Sequence, residues 1–219
     1  MHEATLYHLI SGLTSYSAGG EAFQRELIYE IFGQPLDGLE SSDEVRRVSR
    51  SDQFRMIRRL LDNSLGCIVH STHARTEVLR KDQKRPVACI PHGVEIIDVD
   101  TAGCRRELKL PPASMVVGVL GYQRPSKGGV RCLKIFRRLL RSVPDALLIV
   151  AGELHPEVPL EEEAAAMGIA NRVHILPFQN NLAAFDRVIA ACDVVLNLRS
   201  PAYGETSGAM MRTVGMGRP

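Results

Sequence analysis

The sequence predicts an α/β protein built on parallel sheets, and three observations predict it. Short apolar runs at 66–70, 87–90, 115–120, 146–151, 173–176 and 193–198 lack the polar alternation of a half-exposed strand, the pattern of strands covered on both faces. Segments with helical periodicity, roughly 8–15 residues long, separate these runs. From residue 114 onward the order is strand then helix, repeated to the end of the chain, which is the order of βαβ units.

Each element has a local reason. Leu6, Leu9, Ile10 and Leu13 recur at helical spacing within residues 2–35, and Gly19-Gly20 interrupts the run. Phe23, Leu27 and Ile31 then define a second helix that ends near Gly33 and Pro35. Residues 36–42 read as a loop, 43–49 as a short helix, and 54–61 as a longer one with Phe54, Ile57, Leu60 and Leu61 facing inward. Ser71 caps a helix over 72–81 between the strands 66–70 and 87–90. Residues 94–112 show little periodicity, end in Pro111-Pro112, and read as an interdomain linker. After the strand 115–120 comes the loop GYQRPSKGG, then an amphipathic helix on Val130, Leu133, Ile135, Phe136, Leu139, Leu140 and Val143. Helices over 160–167, 181–191 and 209–214 alternate with the remaining strands.

This order predicts a partial N-terminal domain over 1–93, a linker over 94–112, and a Rossmann-like domain over 113–219. Only two strands are recognisable in the first 90 residues, and the chain stops at Gly217-Arg218-Pro219, where such a turn ordinarily leads into another strand. Both domains are therefore expected to be incomplete, and a chain with uncovered sheet edges is expected to be poorly stable alone. No G-x-G-x-x-G occurs, so the dinucleotide fingerprint is absent.

Composition narrows the function classes. The 219 residues are 45% hydrophobic and 24% charged, with a net charge of +2, which describes an ordinary globular chain and gives no electrostatic case for nucleic acid. No apolar run reaches the ~18–20 residues of a membrane span. Met1-His2-Glu3 lacks the basic start of a signal peptide, so a cytoplasmic location is expected. The five cysteines form no C-x-x-C and no zinc spacing; Cys67, Cys89 and Cys192 lie in or beside apolar runs and read as buried reduced thiols. No metal-ligand set is visible.

Two loops carry the chemistry. The loop 121–129 follows the first strand of the second domain and holds Arg124 and Lys127 among glycines at a strand-to-helix turn, with Gly121 at its start. A planar guanidinium and a point-charge ammonium there suit phosphate, although a solvated basic loop would look the same. The loop 204–208 (GETSG) combines the carboxylate of Glu205, the hydroxyls of Thr206 and Ser207, and Gly208 at a helix start. Glu205 is suited to sugar hydroxyls and the following N–H groups to phosphate; an ordinary Ser/Thr helix cap is the competing account. The arginines of residues 46–59 invite an anionic lipid surface, but interleaved Phe54, Ile57 and Leu60 also fit the polar face of a packed helix.

These motifs, in this order, resemble those of retaining glycosyltransferases of the GT-B fold, group 1 (family 4). HEATLYH, CIVHSTHARTEVL, IPHGVE, GYQRPSKG, LLIVAGE, NRVHILPF and AACDVVLNL follow the family's sequence of motifs over nearly the whole chain. The resemblance implies transfer of a sugar from a nucleotide-diphosphate donor to a hydroxyl of a glycan or glycolipid acceptor, with retention and without a cofactor or metal. It implies that Lys127 contacts the donor diphosphate, that Arg124 stands in for the family's usual Arg, replaced here by Tyr122, and that Phe178 lies by the donor base. It also implies that His2 lies near the transferred sugar. The family commonly has two glutamates with seven residues between them in the last loop; here the second slot is Arg212, and Gly204 is the first, next to Glu205. That departure favours one alternative, a non-catalytic nucleotide- or phosphate-binding module on the same fold. Contact with a membrane surface and no contact with nucleic acid complete the expectation.

Overall fold

The computed structural model describes residues 6, 9–10, 13, 20–34, 55–177, 179, 181–200 and 205–219. The chain divides into two compact units, residues 1–92 with 203–206, and Gly93–Ala202 with Ser207–Pro219.

In the first unit, helix α1 (Glu21–Phe32) buries Phe23, Leu27 and Ile28, and stops at Gly33, whose φ of 77° places it in the left-handed region. Helix α2 is short, Arg58–Asp62. The sequence predicts a helix from residue 54, but Met56 adopts a φ of 55°, which breaks the helical path just before it. Ile57 and Leu61 are buried as expected, whereas Leu60 is 45% exposed, so its inward assignment is corrected. Strands β1 (Cys67–Val69) and β2 (Val87–Cys89) pair in parallel across helix α3 (Thr72–Lys81). Ser71 caps α3 by accepting from the Ala74 N–H at 3.1 Å.

The described arginines of the basic stretch hold this unit together. Arg55 pairs with Glu77 at 3.1 Å, the Arg58 guanidinium donates to the Glu30 carbonyl at 3.0 Å, and Arg59 pairs with Glu26 at 2.7 Å while stacking over the Tyr29 ring at 3.9 Å. They pack and pair within the unit. Arg46, Arg47 and Arg50 lie outside the described residues.

The second unit is a doubly wound sheet. Strands β3 (Val116–Leu120), β4 (Leu147–Ala151), β5 (Val173–Leu176) and β6 (Val194–Val195) are parallel in the order β5-β4-β3-β6. Every residue of β3 and β4 is buried, and alternate residues serve opposite faces. Val117, Val119, Leu148 and Val150 pack with Leu133, Phe136 and Leu160 of helices α5 (Gly129–Leu139) and α6 (Leu160–Ala166). Val116, Leu120, Leu147 and Ile149 pack with Val188, Ile189 and Ala191 of helix α7 (Leu182–Ala191). Helix α8 (Gly208–Gly215) completes the described elements. β6 is shorter than the expected 193–198, yet the parallel pairing runs on through the Leu196 N–H, which donates to the Gly118 carbonyl at 2.8 Å.

Residues 94–112 hold a helix, α4 (Thr101–Glu107), capped by Asp100, and are part of the second unit. Arg105 is the reason. Buried at 8% exposure, it bonds Asp193 at 2.6 Å, the Pro112 carbonyl at 2.8 Å and the Ala191 carbonyl at 3.1 Å. Asp193 in turn accepts from the Val116 N–H at 2.7 Å. A seven-residue helix with one buried arginine leaves almost no apolar period, which is why the sequence pattern concealed it.

The thiol expectation is corrected in part. Cys132 and Cys192 are buried, whereas Cys89 is exposed and Cys67 half-buried. Burial pushes the Cys132 thiol up to about 11 and the Cys192 thiol up to about 12. With folded values above the unfolded one, the stability these neutral thiols contribute is complete below pH ~9 and is lost as the pH climbs toward the folded values. Maleimide labelling of the folded chain near neutral pH should therefore modify Cys89 and spare Cys132 and Cys192 until denaturant is added; labelling of Cys192 at the rate of Cys89 would contradict this packing.

Candidate functional site

In an open parallel sheet, ligands bind beyond the carboxyl ends of the strands where the strand order reverses. Here β3 leads outward to β4 and β5, and the chain then returns to place β6 on the other side of β3. The reversal lies between β3 and β6, so the loops that follow these two strands flank the crevice. Their described residues in this unit are 121–128 after β3, and 196–200 and Ser207 after β6.

Backbone geometry shapes the first loop. Gly121 has a φ of 86° and Gly128 a φ of 65°, which a side chain would strain. A Cβ on Gly152, after β4, would meet the Gly121 carbonyl oxygen at 2.3 Å, so two glycine backbones touch at the sheet edge. Pro125–Lys127 then form a single 3₁₀ turn leading into α5. A Cβ on Gly121 would lie 3.9 Å from Lys127 Nζ, which places the ammonium against the loop backbone at the end of β3. Arg124 is half-buried beside it, and among the described residues its side chain has no ion-pair partner. Tyr122 is 45% exposed, with its ring 6.2 Å from that of His155 in the loop after β4.

Gln123 is a site residue the sequence did not single out. Its side chain is fully buried, Nε2 donates to the Gly121 carbonyl at 2.6 Å, and Oε1 has no partner. It thereby pins the carbonyl of the glycine on which the loop turns. Nothing in GYQRP marks this glutamine as buried, which is why the sequence passed over it.

The second loop is tied to the first. The Ser200 N–H donates to the Ser126 carbonyl at 2.8 Å, and a Cβ on Gly128 would lie 3.6 Å from Leu198 Cβ. Ser207 is the N-cap of α8, accepting from the Met210 N–H at 3.3 Å while its hydroxyl donates to Asn197 at 3.3 Å. The cap accounts for one N–H of the first turn, and those of Gly208 and Ala209 have no intrahelical acceptor. Asn197 and half-buried Arg199, at the same edge, were missed because Asn197 sits in, and Arg199 directly follows, what the sequence reads as strand.

The structure thus brings Gly121, Arg124, Lys127, Ser207 and Gly208 to one edge of one sheet. Glu205 and Thr206, both half-buried, group with the first unit. His2 and Phe178 lie outside the described residues. Arg212 forms a two-point pair with Asp186 of α7 (Nη2 to Oδ2, 2.7 Å; Nε to Oδ1) and faces Glu95 at 3.7 Å. The Asp186 hydrogen bonds hold its guanidinium firmly charged. It therefore clamps α8 to α7. Among the described residues, no group of three or more His, Cys, Asp or Glu is placed to hold a metal ion, and no helix is long and apolar enough to cross a membrane.

Residues 104–205 match the family of glycosyl transferases, group 1. The D-inositol 3-phosphate glycosyltransferase of Segniliparus rotundus is 32% identical over 127 residues, which cover 54% of this chain and 27% of that protein. The chain thus matches about a quarter of the length of this curated relative. Among solved structures, HepE of Anabaena in complex with UDP superposes with a TM-score of 0.62 at 17% identity, over 97% of this chain and 61% of that one. Sucrose-phosphate synthase of Thermosynechococcus elongatus gives 0.61 at 18% identity, over 89% and 47%. WaaG, a glycosyltransferase involved in lipopolysaccharide biosynthesis, gives 0.57 at 21% identity, over 69% and 42%. At these identities the structural likenesses concern the fold, which is the α/β, parallel-sheet architecture of GT-B glycosyltransferases.

The clamp and the cap have separable consequences. Ser207→Ala should lower stability by about 1 kcal/mol, and Arg212→Glu, which sets a third carboxylate beside Asp186 and Glu95, by about 2 kcal/mol or more. Denaturant unfolding of the full chain measures both; an Arg212→Glu chain as stable as the parent would contradict the clamp.

Proposed function

We propose that this chain is the donor-binding part of a glycosyltransferase that moves a sugar from a nucleoside-diphosphate donor to an acceptor hydroxyl on a glycan or glycolipid. The observation that carries the proposal is the placement of Lys127 against the Gly121 turn, where the strand order reverses, with Arg124 next to it. The match of residues 104–205 to group 1 glycosyl transferases supports it.

Retention of configuration is proposed through a front-face substitution, in which the leaving diphosphate and the incoming hydroxyl share one face of the sugar. That step needs stabilisation of charge developing on the leaving phosphate more than it needs a nucleophile. Lys127 and Arg124 supply fixed positive charge, and the Gly208 and Ala209 N–H groups at the start of α8 supply a dipole of the same sign. Glu205, with Thr206 before the cap, is proposed to bind donor hydroxyls, His2 to lie by the transferred sugar, and Phe178 by the base. No cofactor or metal is required, because protein cations take the diphosphate. A cytoplasmic, family 4 enzyme of polysaccharide assembly is the setting this reading implies.

A second reading has one observation in its favour. Arg212 fills the slot of the family's second glutamate and is committed to Asp186, so a non-catalytic module that binds a nucleotide without turnover fits the same loops.

Calorimetric titration of the chain with UDP tests the donor site. Saturable binding is expected, weakened about tenfold or more by Lys127→Ala, since a charge-assisted contact to phosphate contributes about 1.5–3 kcal/mol. Unchanged affinity in Lys127→Ala would overturn the site. Binding of nucleotide sugar without any release of UDP in the presence of acceptor would favour the module.

A further inference from the structure

Helix α5 packs Cys132, Leu133 and Phe136 into the core, which orients its other face outward. That face carries Arg131, Lys134, Arg137 and Arg138, and Arg141 continues the stripe just beyond the helix; all five are exposed. Residues 129–144 contain no Asp or Glu. Among the described residues, no side chain of the five has an ion-pair or hydrogen-bond partner, whereas Arg55, Arg59, Arg85, Arg105 and Arg212 all face carboxylates. Lys134, Arg137, Arg138 and Arg141 recur at i, i+3, i+4 and i+7 and line a surface hollow of about 270 Å³. Like charges at this spacing repel one another and destabilise a helix, so the face is poised for a neutralising partner. The chain's net charge is only +2, so the positive field is local to this stripe.

We infer that the outer face of α5 docks on an anionic bilayer surface, with the hollow taking lipid phosphate headgroups. The stripe is a straight, rigidly backed row of cations, which matches a plane of phosphates, and Ile135, 43% exposed at its margin, supplies an aliphatic group for the interfacial region. Single-stranded nucleic acid fits less well, because base stacking requires aromatic side chains and this face has none. The stripe differs from the basic stretch at 46–59, whose described arginines are occupied within their own unit.

Co-sedimentation of the full chain with vesicles tests this. The probe is phosphatidylcholine vesicles with or without roughly a third phosphatidylglycerol, in about 0.1 M salt. Binding to the anionic vesicles only is expected. Arg137→Glu with Arg138→Glu should weaken it by about tenfold or more, since each basic residue near such a surface strengthens binding about fivefold. Arg75→Glu with Lys84→Glu, exposed positions in the first unit with the same change of charge, should leave binding within about twofold. No binding to anionic vesicles, equal binding to neutral ones, or equal loss in both double variants would overturn the inference. So would tighter binding to a single-stranded oligonucleotide, or displacement from vesicles by inorganic phosphate at matched ionic strength, which would assign the hollow to a small free anion.

Discussion

The position of β3 is the constraint on which the second unit depends. Its five residues are buried on both faces, and it is paired on both edges, to β4 and to β6. A parallel strand in that position accepts only small or apolar side chains. Gly118 shows how tight the fit is: a Cβ there would meet Cys192 Sγ at 2.8 Å and a Val195 methyl at 3.3 Å. The start of the strand is fixed by Asp193, which joins Val116 and the buried Arg105 through a single carboxylate oxygen. One carboxylate thus sets the register of β3, the entry to β6 and the seat of α4. A charge so placed is sustained by having both partners at once, and loss of either would leave an unmatched ion in a half-buried setting.

The site follows from that constraint. With β3 between β4 and β6, the chain must reverse its direction of travel across the sheet, and two strand-end loops are left facing one crevice. Glycines let the first loop fold back on itself, Gln123 ties its carbonyl, and the 3₁₀ turn returns Lys127 to the Gly121 backbone. The second loop is bonded to the first through Ser200 and Ser126 and ends in a helix start. Cations, backbone N–H groups and a helix dipole of one sign thus meet at one edge, which is why a diphosphate leaving group is proposed there. The sheet holds these groups in place before any ligand arrives, which is what electrostatic stabilisation of developing charge requires.

The strands and helices of the second unit were legible because their apolar runs are continuous and their helices strongly periodic; α5 and α7 are examples. The caps at Ser71 and Ser207 could be placed for the same reason that they form, a short side chain able to reach the third N–H. What the sequence hid has physical causes. α4 is held by a buried arginine, so hydrophobic periodicity does not reveal it. α2 is cut short by the left-handed Met56, which no propensity foretells. β6 is two residues long because its continuation pairs only through Leu196. Lys127, Arg124 and Gly121 could be named from loop chemistry, but the pinning role of Gln123 and the placement of Asn197 and Arg199 depend on tertiary contacts. The role of Arg212 is also tertiary: its side chain is committed to Asp186, a residue 26 positions earlier.

The account rests on a phosphate-binding crevice between the ends of β3 and β6. Mapping backbone amide shifts of the full chain on titration with UDP tests this most directly. The account predicts concentrated shifts in residues 121–129, 196–200 and 207–210, with the interior strands unmoved. Saturable shifts that cluster elsewhere, or none at all in this edge while UDP binds, would contradict it.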